Sequence, residues 1–314
     1  MIHYKRSFIR RGIALGLFCT LGLSVASAQQ EPVYTNFTQN TLNVNPAYAG
    51  SRDALTLTVL HRSQWVGVEG APITQTLTLH TPLISERLGV GFSVMNDKIG
   101  PSNTSQAYID LAYRQPLGDQ FKLSIGIKGG GRIFQNNLTD LDGVAGDVAF
   151  AEDESSRFLP NVGAGLYLSS QGFYFGLSAP RLLKNNLRNN ATSREESLTY
   201  HVITGGVIPM GKLSNIKLNP AAMVQVESGS PVAMHLMMNL IIKDKFEVGG
   251  MWRSGDAVGG LIGWNILPSL KLGYSFDYSY GFQSFTYNGG SHEAFLRFDW
   301  FKRNRIPAVT PRYF

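Results

Sequence analysis

A chain of 314 residues is long enough to bury a large core, and its formal net charge of +6 invites a nucleic-acid reading. Lys5, Arg6, Arg10 and Arg11 lie in a segment that reads as an export signal. Taking those four from the 28 basic residues leaves 24 against 22 acidic ones, a net charge near +2, and the nucleic-acid reading loses its support. After that segment no stretch approaches the ~18 uninterrupted apolar residues of a spanning helix, so any membrane crossing is made by strands.

The first eleven residues carry four cations and no acid, residues 13–25 are apolar, and Ala26-Ser27-Ala28 fits the small-x-small cleavage pattern. Residues 1–28 are therefore expected to be a signal peptide, with Gln29 the first mature residue. Cys19 is the only cysteine, and it falls inside the signal. Phe18 before it is too bulky for a lipoprotein cleavage site. The mature chain would be exported, and it would lack disulfides and thiolate chemistry. Residues 29–53 follow as a polar segment rich in Asn and Thr, containing Asn45-Pro46-Ala47-Tyr48-Ala49-Gly50. Its Pro and Gly suit neither strand nor helix. It is expected to be an ordered periplasmic or plug segment, tucked into a lumen or lying beneath it.

From residue 54 to 301 strand-like segments follow one another: 54–65, 73–81, 88–96, 105–115, 121–134, 159–169, 172–179, 199–208, 216–226, 232–242, 246–253, 257–266, 270–279 and 291–301. The hairpin at 161–178 shows the pattern. Val162, Ala164, Leu166 and Leu168 alternate with Asn161, Gly163, Gly165 and Tyr167, and a short Gly-containing turn leads into Phe173, Phe175 and Leu177 against Tyr174, Gly176 and Ser178. Leu88, Val90, Phe92 and Val94, or Leu270, Leu272, Tyr274 and Phe276, repeat it. Connections alternate between a longer set, including 135–158 and 180–198, and a short set such as 116–120 and 243–245. Long loops on one rim and tight turns on the other, with the turns in the periplasm, is the arrangement of outer-membrane barrels.

The expected fold is all-β: a transmembrane antiparallel outer-membrane β-barrel of about 14 strands. Both the N-terminal segment and a C-terminal tail, 302–314, are expected on the periplasmic side. A closed barrel of this size has a lumen too wide to fill with apolar wall residues alone. The apolar face should then meet lipid, with Asp110, Arg114, Lys122, Lys128 and Arg132 facing a wet or plugged interior. Two packed soluble β-domains are the other way to use so many strands. Trp65, Trp252, Trp264, Trp300, Tyr113, Tyr167 and Tyr274 are expected in interfacial girdles.

No catalytic constellation is apparent. His61, His80, His201, His235 and His292 share no metal-ligand spacing. Gly176-Leu177-Ser178-Ala179-Pro180 lacks the second Gly of a nucleophile elbow. Gly129-Gly130-Gly131 sits in a strand without the helix of a phosphate loop and suits a bend or close packing by a plug. Asp140-Leu141-Asp142-Gly143 starts like a calcium loop but lacks the later ligands; with Asp147, Glu152, Asp153 and Glu154 it reads as an acidic external loop.

Four short motifs, Asn45-Pro46-Ala47-Tyr48-Ala49-Gly50, Arg62-Ser63-Gln64-Trp65, Gly176-Leu177-Ser178-Ala179-Pro180 and Pro311-Arg312-Tyr313-Phe314, together resemble the PorP/SprF family of type IX secretion membrane proteins. The resemblance spans essentially the whole mature chain. It implies a non-enzymatic outer-membrane barrel without cofactor, linked to protein secretion, cell-surface attachment or gliding motility. The implied partners are outer-membrane lipid, the type IX translocon, periplasmic ring or lipoprotein components, and secreted cargo with a C-terminal sorting domain; nucleic acid is not among them. On this basis Asn45, Pro46, Tyr48, Arg62, Trp65, Arg312, Tyr313 and Phe314 are the candidate partner-binding residues. A passive porin or solute channel is the alternative that the fold equally permits.

Overall fold

Fourteen antiparallel strands close into one ring in the computed structural model, which describes residue 32 and residues 34–83, 86–137, 154–185, 198–211, 215–280 and 289–301. The strands are β1 Leu55–Ser63, β2 Ile73–Pro82, β3 Leu88–Ile99, β4 Ser102–Leu117, β5 Phe121–Asn136, β6 Glu154–Ser169 and β7 Phe173–Arg181. Then come β8 Thr199–Gly206, which resumes at Ile208–Met210 after a break at Val207, β9 Ile216–Glu227 and β10 Ala233–Ile242. The last are β11 Phe246–Arg253, β12 Ala257–Leu267, β13 Leu270–Ser279 and β14 Ser291–Trp300. Each strand pairs with its neighbours in sequence, and β1 pairs with β14 from Leu55↔Trp300 to Ser63↔His292 to close the ring.

All fourteen expected segments are strands. The largest differences are at the long-loop rim, where β4, β5 and β6 run to 16 residues each while β11 has 8. At the other rim the turns are tight. Lys243 and Asp244 both take left-handed backbone, φ 53° and 54°, which suits a two-residue hairpin turn matched to strand twist.

Period two sorts the side chains as the barrel size demands. Ile109, Leu111, Ile125, Ile127, Ile262 and Trp300 stand exposed on the outer surface, while Asp110, Arg114, Ser124 and Lys128 of the same wall are buried toward the lumen. Lys122 also reaches inward, at the short-turn rim, where it pairs with Asp53 at 3.4 Å. Trp252, Trp264, Tyr113 and Tyr274 are on the outer face. Tyr167 is not a girdle residue: it is 1% exposed and points into the lumen, stacked on Tyr174. Trp65 stands beyond the end of β1 in the first long-rim loop.

The lumen is occupied by the chain's own start. Phe37–Asn40, Thr41–Val44 and Pro46–Tyr48 form three short helical turns inside the ring. This segment bonds the short-turn rim at Gly50–Asp53 and the long-loop half of the wall at Tyr34–Asn36. The segment was expected on the periplasmic side, tucked into the lumen or beneath it; its described part lies in the lumen, with its last residues at the short-turn rim. The acidic loop, most of the loop at 180–198, the signal and the tail with Arg312, Tyr313 and Phe314 lie outside the described residues.

Candidate functional site: a plug locked into the barrel

The Asn45–Gly50 motif is built as a knuckle. The Asn45 side chain caps the turn by accepting from the Ala47 backbone N–H at 3.0 Å, and Pro46 opens the turn at a position where no N–H is needed. The other end of the same amide reaches the wall, donating to the Leu166 carbonyl at 2.9 Å and the Leu177 carbonyl at 3.4 Å. Next to it Ser178 donates to the Val44 carbonyl at 2.8 Å. Two of the four sequence motifs thus meet, since Leu177 and Ser178 belong to Gly176–Pro180.

Close approach explains glycines that sequence patterning left as gaps. A Cβ on Gly89 would collide with the Ala49 carbonyl, one on Gly126 with the Ala47 backbone, and one on Gly165 with the Asn45 amide. In Gly129-Gly130-Gly131, expected to allow a bend or close packing by a plug, a Cβ on Gly130 or Gly131 would meet the wall residues Tyr108 and Phe158, and one on Gly129 would meet nothing within 4 Å. Gly50 is needed for its conformation: φ is +72°, its N–H donates to His80 Nδ1 at 3.1 Å, and its carbonyl accepts from Arg114 at 2.5 Å.

A buried ionic cluster holds the far end of the plug. Arg62 is 1% exposed and pairs with Asp277 at 2.7 Å and Glu293 at 3.4 Å. Glu293 accepts from the backbone N–H of Thr35 at 2.8 Å and of Asn36 at 2.9 Å, and the Thr35 hydroxyl bonds Asp277. The Tyr34 hydroxyl lies 2.7 Å from Thr76 Oγ1 and donates to Met95 Sδ at 2.7 Å. Burial pushes that hydroxyl far above the ordinary tyrosine range, so it remains a donor. Above the cluster Trp65, in left-handed backbone with φ 46°, donates from Nε1 to Ser279 at 3.4 Å. The third motif, Arg62–Trp65, is therefore also a plug contact and its cover.

Cations further down serve the same end. Lys128 donates to the Leu42 and Asn43 carbonyls at 3.2 and 3.1 Å, and Arg52 of the plug pairs with Asp299 at 3.1 Å. Between these polar ties, Phe37, Leu42, Ala47 and Tyr48 form one apolar cluster with Met223, Met237 and Met251 of the wall. Unbranched methionines fill such irregular gaps. On the β9–β14 side a polar space of about 70 Å³ remains, lined by Gln39, Tyr48, Tyr174, Glu247, Lys271 and Arg297.

Asn45, Pro46, Tyr48 and Arg62 are thus buried against the protein's own barrel, and Trp65 is 39% exposed at its mouth. Sequence reasoning missed Thr35, Asn36, Asp277 and Glu293. The available signal was an inward acid on β13 and another on β14 beside an inward arginine on β1.

These features define a class: an outer-membrane β-barrel whose lumen is filled by its own N-terminal segment. The sequence profile of the type IX secretion system membrane proteins PorP/SprF matches residues 26–298, and the chain belongs to that family. Among curated proteins none matches it in sequence. Among solved structures it is similar to Omp33 of Acinetobacter baumannii, with 11% identity over 80% of this chain and 99% of that one, TM-score 0.43. BamA of Haemophilus ducreyi lacking POTRA domains 1–3 matches with 8% identity over 78% and 70%, TM-score 0.42. The KdgM porin matches with 7% identity over 78% and 98%, TM-score 0.37.

Proposed function

We propose that this outer-membrane protein is a non-enzymatic interaction component of the type IX secretion or gliding machinery. It holds secreted cargo, through a C-terminal sorting domain, or a component of the machine at the outer membrane. The observation that carries this reading is the plug. A lumen tied to its own chain by the Arg62 cluster, the Asn45 knuckle and Arg52–Asp299 suits a scaffold better than a conduit. Partner contacts then belong to the two rims, with Trp65 39% exposed at one of them. Gliding and surface attachment belong to this proposal as what the family resemblance implies.

The test has two parts. In planar bilayers the intact protein should show little conductance, and removal of residues 34–51 should open a channel; a large steady conductance of the intact protein would favour the porin alternative. Secreted proteins or translocon subunits should co-purify with the barrel from outer membranes, and their absence under gentle extraction would defeat the scaffold reading.

A further inference from the structure

The polar space left beside the plug has a place and a charge. Its wall residues are close to the short-turn rim: Glu247 and Lys271 are the second residues of β11 and β13, and Arg297 is three residues from the end of β14. Asp244 of the β10–β11 turn also lines it, and with its side chain 41% exposed it brings the space to that rim. Thr38, Gln39 and Thr41 of the plug close another side. Gly263 keeps the wall hollow, because a Cβ there would come within 3.3 Å of both Glu247 and Lys271. Wall and plug thus make this chamber jointly.

The charges around it do not balance. Lys271 is paired with Glu247, and Asp244 with Lys217 at 2.7 Å. Arg52 and Arg297 share one acid, Asp299, at 3.1 and 3.4 Å. Arg297 gives a further donor to the neutral Gln39 side chain, at 2.9 Å. Among the described residues of this cluster one positive charge is therefore in excess, in surroundings where unmatched charge is costly. Tyr167 and Asn219 add a hydroxyl and an amide to the lining. A volume of about 70 Å³ holds about two waters or one carboxylate-sized group. We infer that the chamber receives a single carboxylate presented from the short-turn side, which is the periplasmic side of outer-membrane barrels. A phosphate, with a charge of about −1.5 to −2, would overshoot the excess cation, whereas a carboxylate matches it. The planar donors of Arg297 suit carboxylate geometry too. The inference deepens the scaffold reading and rests on it for the partner, a polypeptide that brings an acidic side chain or a chain terminus.

A thiol inside the chamber tests this, in a Cys19→Ser background that leaves no other cysteine. Asn219→Cys places it on the wall and Thr41→Cys on the plug, so one survives if the other disturbs folding, and heat-modifiable mobility checks each. The detergent-solubilised protein is treated with carboxyethyl methanethiosulfonate and with the neutral carboxamide of the same shape, each rate taken relative to free cysteine. The carboxylate reagent should react roughly tenfold faster, as expected for charge-assisted hydrogen bonds. Arg297→Gln should remove that preference, and Arg297→Lys, which keeps the charge without the fork, should retain part of it. Equal rates for the two reagents overturn the inference. Acetylated Ala-Ala-Ala with a free carboxyl terminus and acetylated Ala-Asp-Ala amide then compete with the neutral reagent, with acetylated Ala-Asn-Ala amide as the control. Protection by either acid above the control supports the site, and the acid that protects names the source of the carboxylate. Protection no greater than the control overturns the inference even where secreted proteins or translocon subunits co-purify with the barrel, so the two readings fail separately.

Discussion

From β3 to β7 the wall meets the plug backbone to backbone. Gly89, Gly126 and Gly165 stand where any Cβ would strike Ala49, Ala47 or Asn45. From β9 to β14 the wall keeps its long side chains, and it holds the plug through Asp277, Glu293, Arg297 and Asp299 while pairing Lys271 with Glu247 across its own strands. The first half adds shape to the charged ties of Arg114 and Lys128 and tolerates no added atoms at these glycines. The second selects by charge and tolerates no removed partner. A plug held in both ways has one register.

The largest expected loss follows from breaking the charged side. Arg62→Ala leaves Asp277 and Glu293 buried without their guanidinium, a change that costs roughly 3–5 kcal/mol in buried ion pairs. Urea unfolding in detergent should show that loss together with protease access to residues 34–36. Unchanged unfolding would mean that the cluster does not hold the plug.

Next comes the shape side. Gly126→Val places a side chain into the Ala47 backbone, and overpacking of this kind costs typically about 1–3 kcal/mol. The plug should shift, the bilayer conductance should rise above that of the intact protein, and the barrel should remain heat-modifiable. Gly250→Ala is the counterpart on the outer face, where the nearest atom to an added Cβ is 3.5 Å away. Its effect should stay within about 0.5 kcal/mol. A loss as large as that of Gly126→Val would assign the glycine effect to strand propensity instead of plug contact.

Smallest among the charged positions is Lys217→Ala. Lys217, with its side chain 12% exposed, pairs at 2.7 Å with Asp244, 41% exposed at a turn, and a pair solvated on one side contributes about 0–1 kcal/mol. Stability and conductance should both be near those of the unaltered protein, and a large change in either would place the β10–β11 turn in contact with the plug.

The wall was legible because lipid on one side and a filled lumen on the other impose period two on every strand. Even Asp110, Arg114 and Lys128 could be placed inward from parity alone. Strand ends at the long-loop rim were less legible, since β4 extends back through Ser102–Thr104, where apolar alternation has faded and register with β3 and β5 keeps the strand going. The plug's presence was foreseen from Pro, Gly and Asn in 29–53, but its course was not. Non-local bonds such as Thr35 to Glu293, 258 residues apart, leave no periodic trace. Tyr167 was misplaced because its aromatic ring suggested a girdle, although parity sets it with Asn161, Gly163 and Gly165 on the luminal face, where it meets the plug's Tyr48. The resemblance motifs were legible as a family signature, while their meeting at Asn45 and Ser178 required the folded ring.

The pairing of β1 with β14 has a temporal meaning. These strands are the most distant in sequence, with Leu55 opposite Trp300, so the contact that completes the ring carries the largest loop-closure cost and is expected to form late. Residues 34–53 already bond both β1 and β14 and lie between them and the opposite wall. The sheet therefore curls around helical turns of its own chain and shuts like a bracelet on a wrist. Removing the ties that seat the segment inside the ring, at Arg62 and Arg52, should therefore delay the clasp.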